Sequence, residues 1–222
     1  FGSEALRDNT SAGQSTAIGR AALRTSTGAN NTAVGHAALL TNTSGVNNTA
    51  VGVNALDSNT TGNYNVSIGM GSLSNATTAN SNTAVGESAM QASTTGSDSV
   101  AIGKNALLLS TTGTNNVAVG VTAGDSITTG GNNTTVGHNA ASEQTTAVGV
   151  TALGKSAAQN NQANYTVAMG YRALESNTSG GANTAVGLEA AVTNTTGSNL
   201  TAIGKHALLS NTTGTENTAI GG

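Results

Sequence analysis

The sequence predicts an all-β protein, a repetitive parallel β-solenoid or β-roll of 17-residue coils. Three observations support this prediction. A glycine recurs at almost every seventeenth position along the chain, as at Gly52, Gly69 and Gly86. The residues around that glycine repeat as N-T-A-V-G-x-x-A-L-x-x-N-T-T-G-x-N. A unit this short cannot bury an apolar face alone, so its copies must stack on one another.

We refer to the recurring glycines as anchor glycines. They are Gly2, Gly19, Gly35, Gly52, Gly69, Gly86, Gly103, Gly120, Gly137, Gly149, Gly170, Gly187, Gly204 and Gly221. The steps between them are 17, 16, six of 17, then 12 and 21, and finally three of 17. We therefore expect one array of 13 repeats over residues 1–222, with an irregular coil and an insertion within 138–169. Neither end has an atypical polar cap, so we expect a segment of a longer fibre, or coils that continue across subunits.

The first element of each repeat is a short strand that ends at the residue before the anchor glycine. In Thr49-Ala50-Val51 the first position is Thr or Val, the middle one small, and the third large and apolar. Side chains alternate across a strand, so the first and third positions share one face. We expect that face, including Ile102, to point into the solenoid, and the small column to contact another chain in a homotrimer. The alternative is a single-chain solenoid whose alanine column faces solvent.

The second element is a pair of a small and a large apolar residue, as in Ala55-Leu56. Strand-like alternation would place the two side chains on opposite faces. Turns follow in the form Asn59-Thr60-Thr61-Gly62, where glycine supplies a left-handed conformation and Asn and Thr bond nearby backbone groups. A second asparagine column is expected to stack as an amide ladder. Its members include Asn31, Asn48, Asn65, Asn82, Asn116, Asn133, Asn183 and Asn217.

The N-T-A-[VI]-G-x-x-A-L repeat resembles the head repeats of trimeric autotransporter adhesins, and still more closely the repeats of phage and bacterial tail-fibre proteins. The resemblance covers essentially all 222 residues. It implies an extracellular shaft or head that displays binding surfaces. Adhesin heads of this kind are left-handed parallel β-rolls that assemble as trimers on a somewhat shorter repeat.

Composition excludes several other classes of protein. Only 8% of the residues are charged and the net charge is −3, so a phosphate-neutralising surface for nucleic acid is not expected. The chain has no cysteine, which excludes disulfides and thiolate metal sites and suits an extracellular protein. No apolar run approaches the roughly 20 residues that span a membrane.

One catalytic motif matches by letter. Residues 149–156, G-V-T-A-L-G-K-S, fit the phosphate-binding pattern G-x-x-x-x-G-K-[ST]. That motif needs a strand before it and a helix after it, and the following residues do not form an amphipathic helix pattern. We interpret the match as a coincidence within a glycine-rich repeat.

No catalytic, cofactor-binding or metal-binding residues are expected. His36, His138 and His206 lie near anchor glycines at positions that tolerate many residue types, which indicates solvated side chains. The acidic residues show no spacing typical of general acid–base pairs. N-x-[ST] sequons recur in the predicted turns, where glycosylation would be sterically possible, although a turn favours the same residues. Examples are Asn42, Asn59, Asn177, Asn194 and Asn211.

The irregular coil is the best candidate for a recognition surface, because insertions in solenoids form loops that often lie on a binding face. A tolerated insertion without function is the alternative. The candidate residues are Lys155, Gln159, Asn160, Asn161, Gln162, Tyr165, Tyr171 and Arg172.

The sequence favours a structural and adhesive fibre on a cell surface or virion, not an enzyme. Its expected partners are copies of itself, in a homotrimer or end to end, and a surface glycan or protein receptor. An ice-binding solenoid is the alternative, because the first strand position forms a threonine-rich column at coil spacing. A fibre-borne glycan-active enzyme comes third and would need two carboxylates that meet across coils or chains.

Overall fold

The computed structural model describes residues 1–9 and 13–222. In them, thirteen three-residue strands stack in chain order into one parallel sheet, and no helix is present. The strands are β1 Thr16–Ile18, β2 Thr32–Val34, β3 Thr49–Val51, β4 Val66–Ile68, β5 Thr83–Val85, β6 Val100–Ile102, β7 Val117–Val119, β8 Thr134–Val136, β9 Thr151–Leu153, β10 Val167–Met169, β11 Thr184–Val186, β12 Thr201–Ile203 and β13 Thr218–Ile220. The predicted all-β solenoid of about 17-residue coils is confirmed.

Backbone hydrogen bonds join each coil to the coils before and after it. The amide of Thr49 donates to the carbonyl of Asn65 at 2.8 Å, and that of Gly52 donates to Val34 at 2.8 Å. Strand registers match position for position, with Ala50 beside Ser67. Stacking therefore satisfies the backbone groups that such short strands would otherwise leave unpaired.

The small residue of each strand, not the large one, faces the solenoid interior. Ala101 is fully buried, whereas Ile102 is 41% exposed. The expectation that the large apolar column points inward is wrong. The interior is narrow at the strand, since the Ser67 hydroxyl, at the middle strand position, reaches the Ser72 hydroxyl at 2.6 Å. Alanine or serine occupies this position in most strands, and the larger Thr135 is buried there beside Gly124, where an added Cβ would lie 3.2 Å from its hydroxyl oxygen. The interior is too narrow here for a large apolar side chain, so those of the third strand position face outward.

The apolar pair of the second element enters the core together, contrary to the expectation of opposite faces. Ala55 and Leu56 are both fully buried. The reason is the backbone, because Asn54 and Leu56 have φ values of 54° and 52°. A left-handed residue at every second position abolishes strand-like alternation. Leucine at this position therefore supplies a large core side chain in many coils, whereas Ala141, Ala158 and Ala191 occupy it in others.

The structure also corrects the predicted irregular coil within residues 138–169, because the anchor glycine of this coil was assigned wrongly. Strand β9 ends at Leu153, so Gly154 is the anchor glycine, seventeen positions after Gly137 and sixteen before Gly170. Gly154 has φ +132° like other anchor glycines, whereas Gly149 has φ +70°. Residues 144–147, Q-T-T-A, take the place of the N-T-T-G turn. The array therefore holds a coil that is one residue short, not an insertion.

Asparagine ladders line the interior, as predicted. Asn65 Oδ1 accepts the backbone amide of Asn82 at 3.1 Å, and Asn65 Nδ2 donates to the carbonyl of Ala79 at 2.8 Å. The turn asparagine Asn59 donates to Gly62 at 3.0 Å and to Asn42 Oδ1 at 2.7 Å. The sequon asparagines Asn42, Asn59, Asn177 and Asn194 are fully buried. Their amide nitrogens are therefore closed to glycosylation in the folded protein, contrary to the expectation that they would be accessible.

Candidate functional site

The sequence-predicted recognition residues lie in neighbouring coils but do not form one surface. Lys155, Asn160, Gln162, Tyr165 and Tyr171 are exposed, while Gln159 and Arg172 are half-buried. Asn161 is fully buried, because it belongs to the column of turn asparagines and donates to the carbonyl of Ala163 at 2.7 Å. Its assignment to the surface is wrong.

One group of candidates surrounds the Tyr171 ring, just after strand β10. Lys155 Nζ and Arg172 Cζ each lie 6.0 Å from the centre of that ring. The guanidinium of Arg172 bonds Glu175 at 2.6 Å and Glu189 at 2.9 Å. The Glu175 carboxylate raises the pKa of Arg172. Two carboxylates thus neutralise this cation, so we do not regard the group as an anion site.

The second group lies before strand β10 and lines a surface groove of about 490 Å³. Gln162 and Tyr165 are the two predicted residues in this groove. Three successive coils contribute its lining, so the groove brings together side chains from separate parts of the sequence. The lining residues are Gln162, Ala163, Asn164, Tyr165, Ser179, Gly181, Ala182, Ser198 and Asn199.

The groove lies at a shortened coil. Strand β10 begins six positions after Asn161, whereas β11 begins seven positions after Asn177. Gln162 stands where most coils have threonine, and its Oε1 accepts the amide and the hydroxyl of Thr145 at 3.1 and 2.8 Å.

Tyr165 is the most exposed aromatic residue of the groove. It lies two residues before β10 with φ 57°, at a corner where every coil turns through a left-handed residue. Its side chain is 68% exposed and its ring lies against Gly149, where an added Cβ would meet Cδ1 at 3.0 Å. Because every coil repeats this left-handed corner, the conformation belongs to the solenoid, and it is the exposed aromatic ring that distinguishes this coil from most others.

Two carboxylates in adjacent coils bear on the enzyme alternative. Burial raises the pKa of Asp125, and the Glu143 carboxylate of the next coil raises it further. Neither residue lines the groove. Within the described residues no cluster of three or more His, Asp or Glu side chains could hold a metal ion.

Residues 149–156, which match the phosphate-binding motif by letter, form no phosphate cradle. They run through a left-handed corner, strand β9 and an anchor glycine, and no helix follows. His36, His138 and His206 are exposed, as expected from their variable columns. His206 Nε2 lies 3.4 Å from Glu189 Oε2.

Sequence reasoning missed most of the groove. Asn164, Ser179, Gly181, Ala182 and Asn199 carry no motif, and their turns match the repeat. The sequence feature that could have indicated this site is the spacing of six residues from Asn161 to β10. Assigning Gly149 instead of Gly154 as the anchor glycine made this coil look like an insertion and obscured that spacing. Tyr64, 62% exposed at the same corner six coils earlier, was also missed.

Comparison with protein-family models and with curated proteins found no match for this chain. The resemblance to adhesin heads and tail-fibre repeats therefore stays a prediction from the repeat itself. In the described part of the chain, no helix has the length and hydrophobicity needed to cross a bilayer.

Proposed function

We propose that the chain is a segment of an extracellular structural and adhesive fibre. It assembles as a homotrimer, of the kind formed by trimeric adhesin heads and tail-fibre proteins, and displays a surface for a receptor or glycan. The observation that carries the proposal is the outward face of the sheet, where large apolar side chains stand in a continuous column.

That face is unusually apolar for a surface. Ile18 is 47% exposed, Ile68 39%, Ile102 41% and Ile203 39%. The sheet is about 10 Å wide and about 60 Å long, since strands rise about 3.3 Å per residue and stack about 4.8 Å apart. The whole face thus covers about 600 Å², and its column of large apolar side chains runs the full length of the rod beside the threonine-rich column. Contiguous exposed apolar patches mark interaction sites.

A second copy of the chain fits this face best. Its columns repeat at coil spacing along the whole rod, so an identical rod presents the same repeat and packs at every coil. The threefold state comes from the resemblance of the repeat, in which three such rods surround a common axis. The outward strand positions carry no charged side chain, so two such faces can pack together without burying a charge.

Light scattering in solution tests the proposal. We expect a mass three times that of the 21.4 kDa chain, resistant to SDS until heated. A monomer at all concentrations would contradict the proposal and leave the sheet face open to solvent.

Ice binding is the second candidate, because the threonine column also lies on this outward face. Thr32, Thr49 and Thr83 are half-buried at the first strand position, beside the valine column. A trimer interface would cover the same residues, so the two functions exclude each other. Thermal hysteresis measured at millimolar protein separates them: a monomer with hysteresis supports ice binding, and its absence removes that candidate.

A further inference from the structure

We propose that the groove at Tyr165 binds a neutral oligosaccharide. One pyranose ring stacks on the Tyr165 ring, and its hydroxyl groups bond the side-chain amides of Asn164 and Asn199. The inference rests on the proposed display function for its biological role. Saccharide binding itself is measured on the purified protein, whatever its oligomeric state.

The size and shape of the groove suit a small ligand. Its volume of about 490 Å³ matches the roughly 300–1,000 Å³ of ligand pockets, but it is wide open to solvent, which suits an extended ligand laid along the surface. Its lining brings together Tyr165 of one coil, Gly181 and Ala182 of the next coil, and Asn199 of the coil after that. The groove runs across coils, so a linear chain of sugars extends along the rod beyond it.

Tyr165 supplies the apolar part of the recognition. The Cδ1–Cε1 edge of its ring lies against Gly149, and the residue is 68% exposed to solvent. The face of an aromatic ring is electron-rich. The axial C–H groups of a pyranose ring carry a small positive charge, and they form a flat surface that matches such a face.

Free amide and hydroxyl groups surround the ring. Asn164 Oδ1 accepts the backbone amide of Val148 at 2.8 Å, which orients its side chain. Its Nδ2 and the whole side-chain amide of Asn199 bond no described residue, and neither does the Ser179 hydroxyl. These groups both donate and accept, as sugar hydroxyls do. No charged side chain lines the groove, so a neutral saccharide fits better than an anionic one.

Tyr64 provides a matched control within the same protein. It has the same left-handed corner, with φ 59°, and a similar exposure of 62%. The coil after Tyr64 differs, however, from the coil after Tyr165. Asn80 occupies the position, three residues before the strand, that Gly181 occupies in the groove lining. Asn80 Oδ1 accepts the amide of Asn63 at 2.9 Å, and its Nδ2 donates to Thr78 at 2.9 Å. The Asn80 side chain thus takes the place that Gly181 leaves without a side chain, and its amide group already bonds Asn63 and Thr78.

Saturation-transfer difference NMR with the whole chain tests the proposal. The probes are cellotetraose, maltotetraose, chitotetraose and mannotetraose, with a galacturonate tetramer as the charged comparison. We expect saturation transfer to at least one neutral probe and an affinity about tenfold lower for Tyr165→Ala, typical of losing a central aromatic contact. Tyr64→Ala should bind as the parent does, and Ala182→Arg should block the groove while Tyr165 stays in place.

Three results would overturn the proposal: no neutral probe binds, Tyr165→Ala and Ala182→Arg bind as the parent does, or only the galacturonate binds. Thermal melting of each variant confirms that it is folded. Light scattering on the same samples keeps the outcomes separate, because a trimer without saccharide binding refutes the groove alone, and a monomer that binds refutes the fibre alone.

Discussion

At the scale of single residues, burial separates side chains of the same type. Asn47 and Asn48 are neighbours, yet Asn47 lies exposed at the left-handed corner and Asn48 is almost fully buried. Asn48 Nδ2 donates to Gly62 at 2.8 Å, and its Oδ1 accepts the amide of Asn65 at 2.9 Å. Removing a buried partner leaves the other groups unsatisfied.

We therefore predict that Asn48→Ala lowers the free energy of unfolding by about 1–3 kcal/mol, because it leaves the buried Asn65 amide without its acceptor and removes one of the two side-chain amides that donate to the Gly62 carbonyl. Asn47→Ala is the control, since Ala182 occupies the same corner column in another coil. Its effect should stay within about 0.5 kcal/mol. Chemical denaturation measures both, and equal losses would contradict a role for the ladder.

The half-buried carboxyl of Asp125 makes stability depend on pH. Burial raises its pKa in the folded protein, so the folded state holds this proton to a higher pH than the unfolded state does. The stability from this group is full below the unfolded pKa and is lost as the pH rises through the folded pKa. Acidification through that window should therefore stabilise the protein.

Asp125→Asn should raise the melting temperature at neutral pH and flatten its dependence on pH across this window. The physical reason is that the amide has no charge to desolvate and does not repel Glu143. Asp98→Asn, at an exposed corner, is the control and should leave the profile unchanged. The test is the melting temperature of each protein measured at a series of acidic pH values. If the melting temperatures of the parent and Asp125→Asn change with pH in the same way, Asp125 is not the source of the pH dependence.

At the scale of the element, coils are held together by a close backbone approach at the anchor glycine, and many also by one large buried apolar side chain. Gly124 stands where most coils have leucine, and an added Cβ would meet Ile127 Cδ1 at 2.8 Å. Ile127 is fully buried and so replaces the missing leucine three residues later. A larger side chain at one position thus compensates for a smaller one at a neighbouring position of the same coil, which keeps the core packed.

The choice of anchor glycine in the ninth strand's coil is testable by substitution. A Cβ on Gly154 would lie 2.6 Å from the Gly170 carbonyl oxygen, a contact that backbone must shift to relieve. We predict that Gly154→Ala costs about 3 kcal/mol or more. Gly149→Ala should cost about 1–2 kcal/mol, because it meets only left-handed strain and the edge of the Tyr165 ring. Thermal or urea unfolding gives both values, and the reverse order would restore Gly149 as the anchor.

At the scale of the whole molecule, the sheet gives the rod one apolar side. The interior needs little more than alanine at the strand, so the isoleucines and valines are not required for the core of a single rod. Their outward position is the reason to expect assembly. Hydrophobic burial is worth about 25 cal/mol per Å², so a face repeated over thirteen strands becomes a large driving force.

We predict that Ile102→Asp leaves the coil folded but breaks the proposed trimer into monomers, since a charge would be buried between chains without a partner. Val53→Asp is the control, because Val53 is 45% exposed and lies outside the strands. Circular dichroism reports the fold and light scattering the mass. An Ile102→Asp chain that remains trimeric would place the interface elsewhere.

The sequence by itself determined the solenoid, its coil length, its turns and its asparagine ladder, because each depends on local repetition: glycine for close approach, Asn and Thr for backbone bonds. Only the tertiary structure decided which side chains enter the interior. Left-handed residues such as Leu56 break strand alternation, and the narrow interior accepts Ala101 and excludes Ile102. The anchor at Gly154 and the groove at Tyr165 likewise depend on neighbouring coils, since contacts between coils distinguish two glycines that follow similar residues.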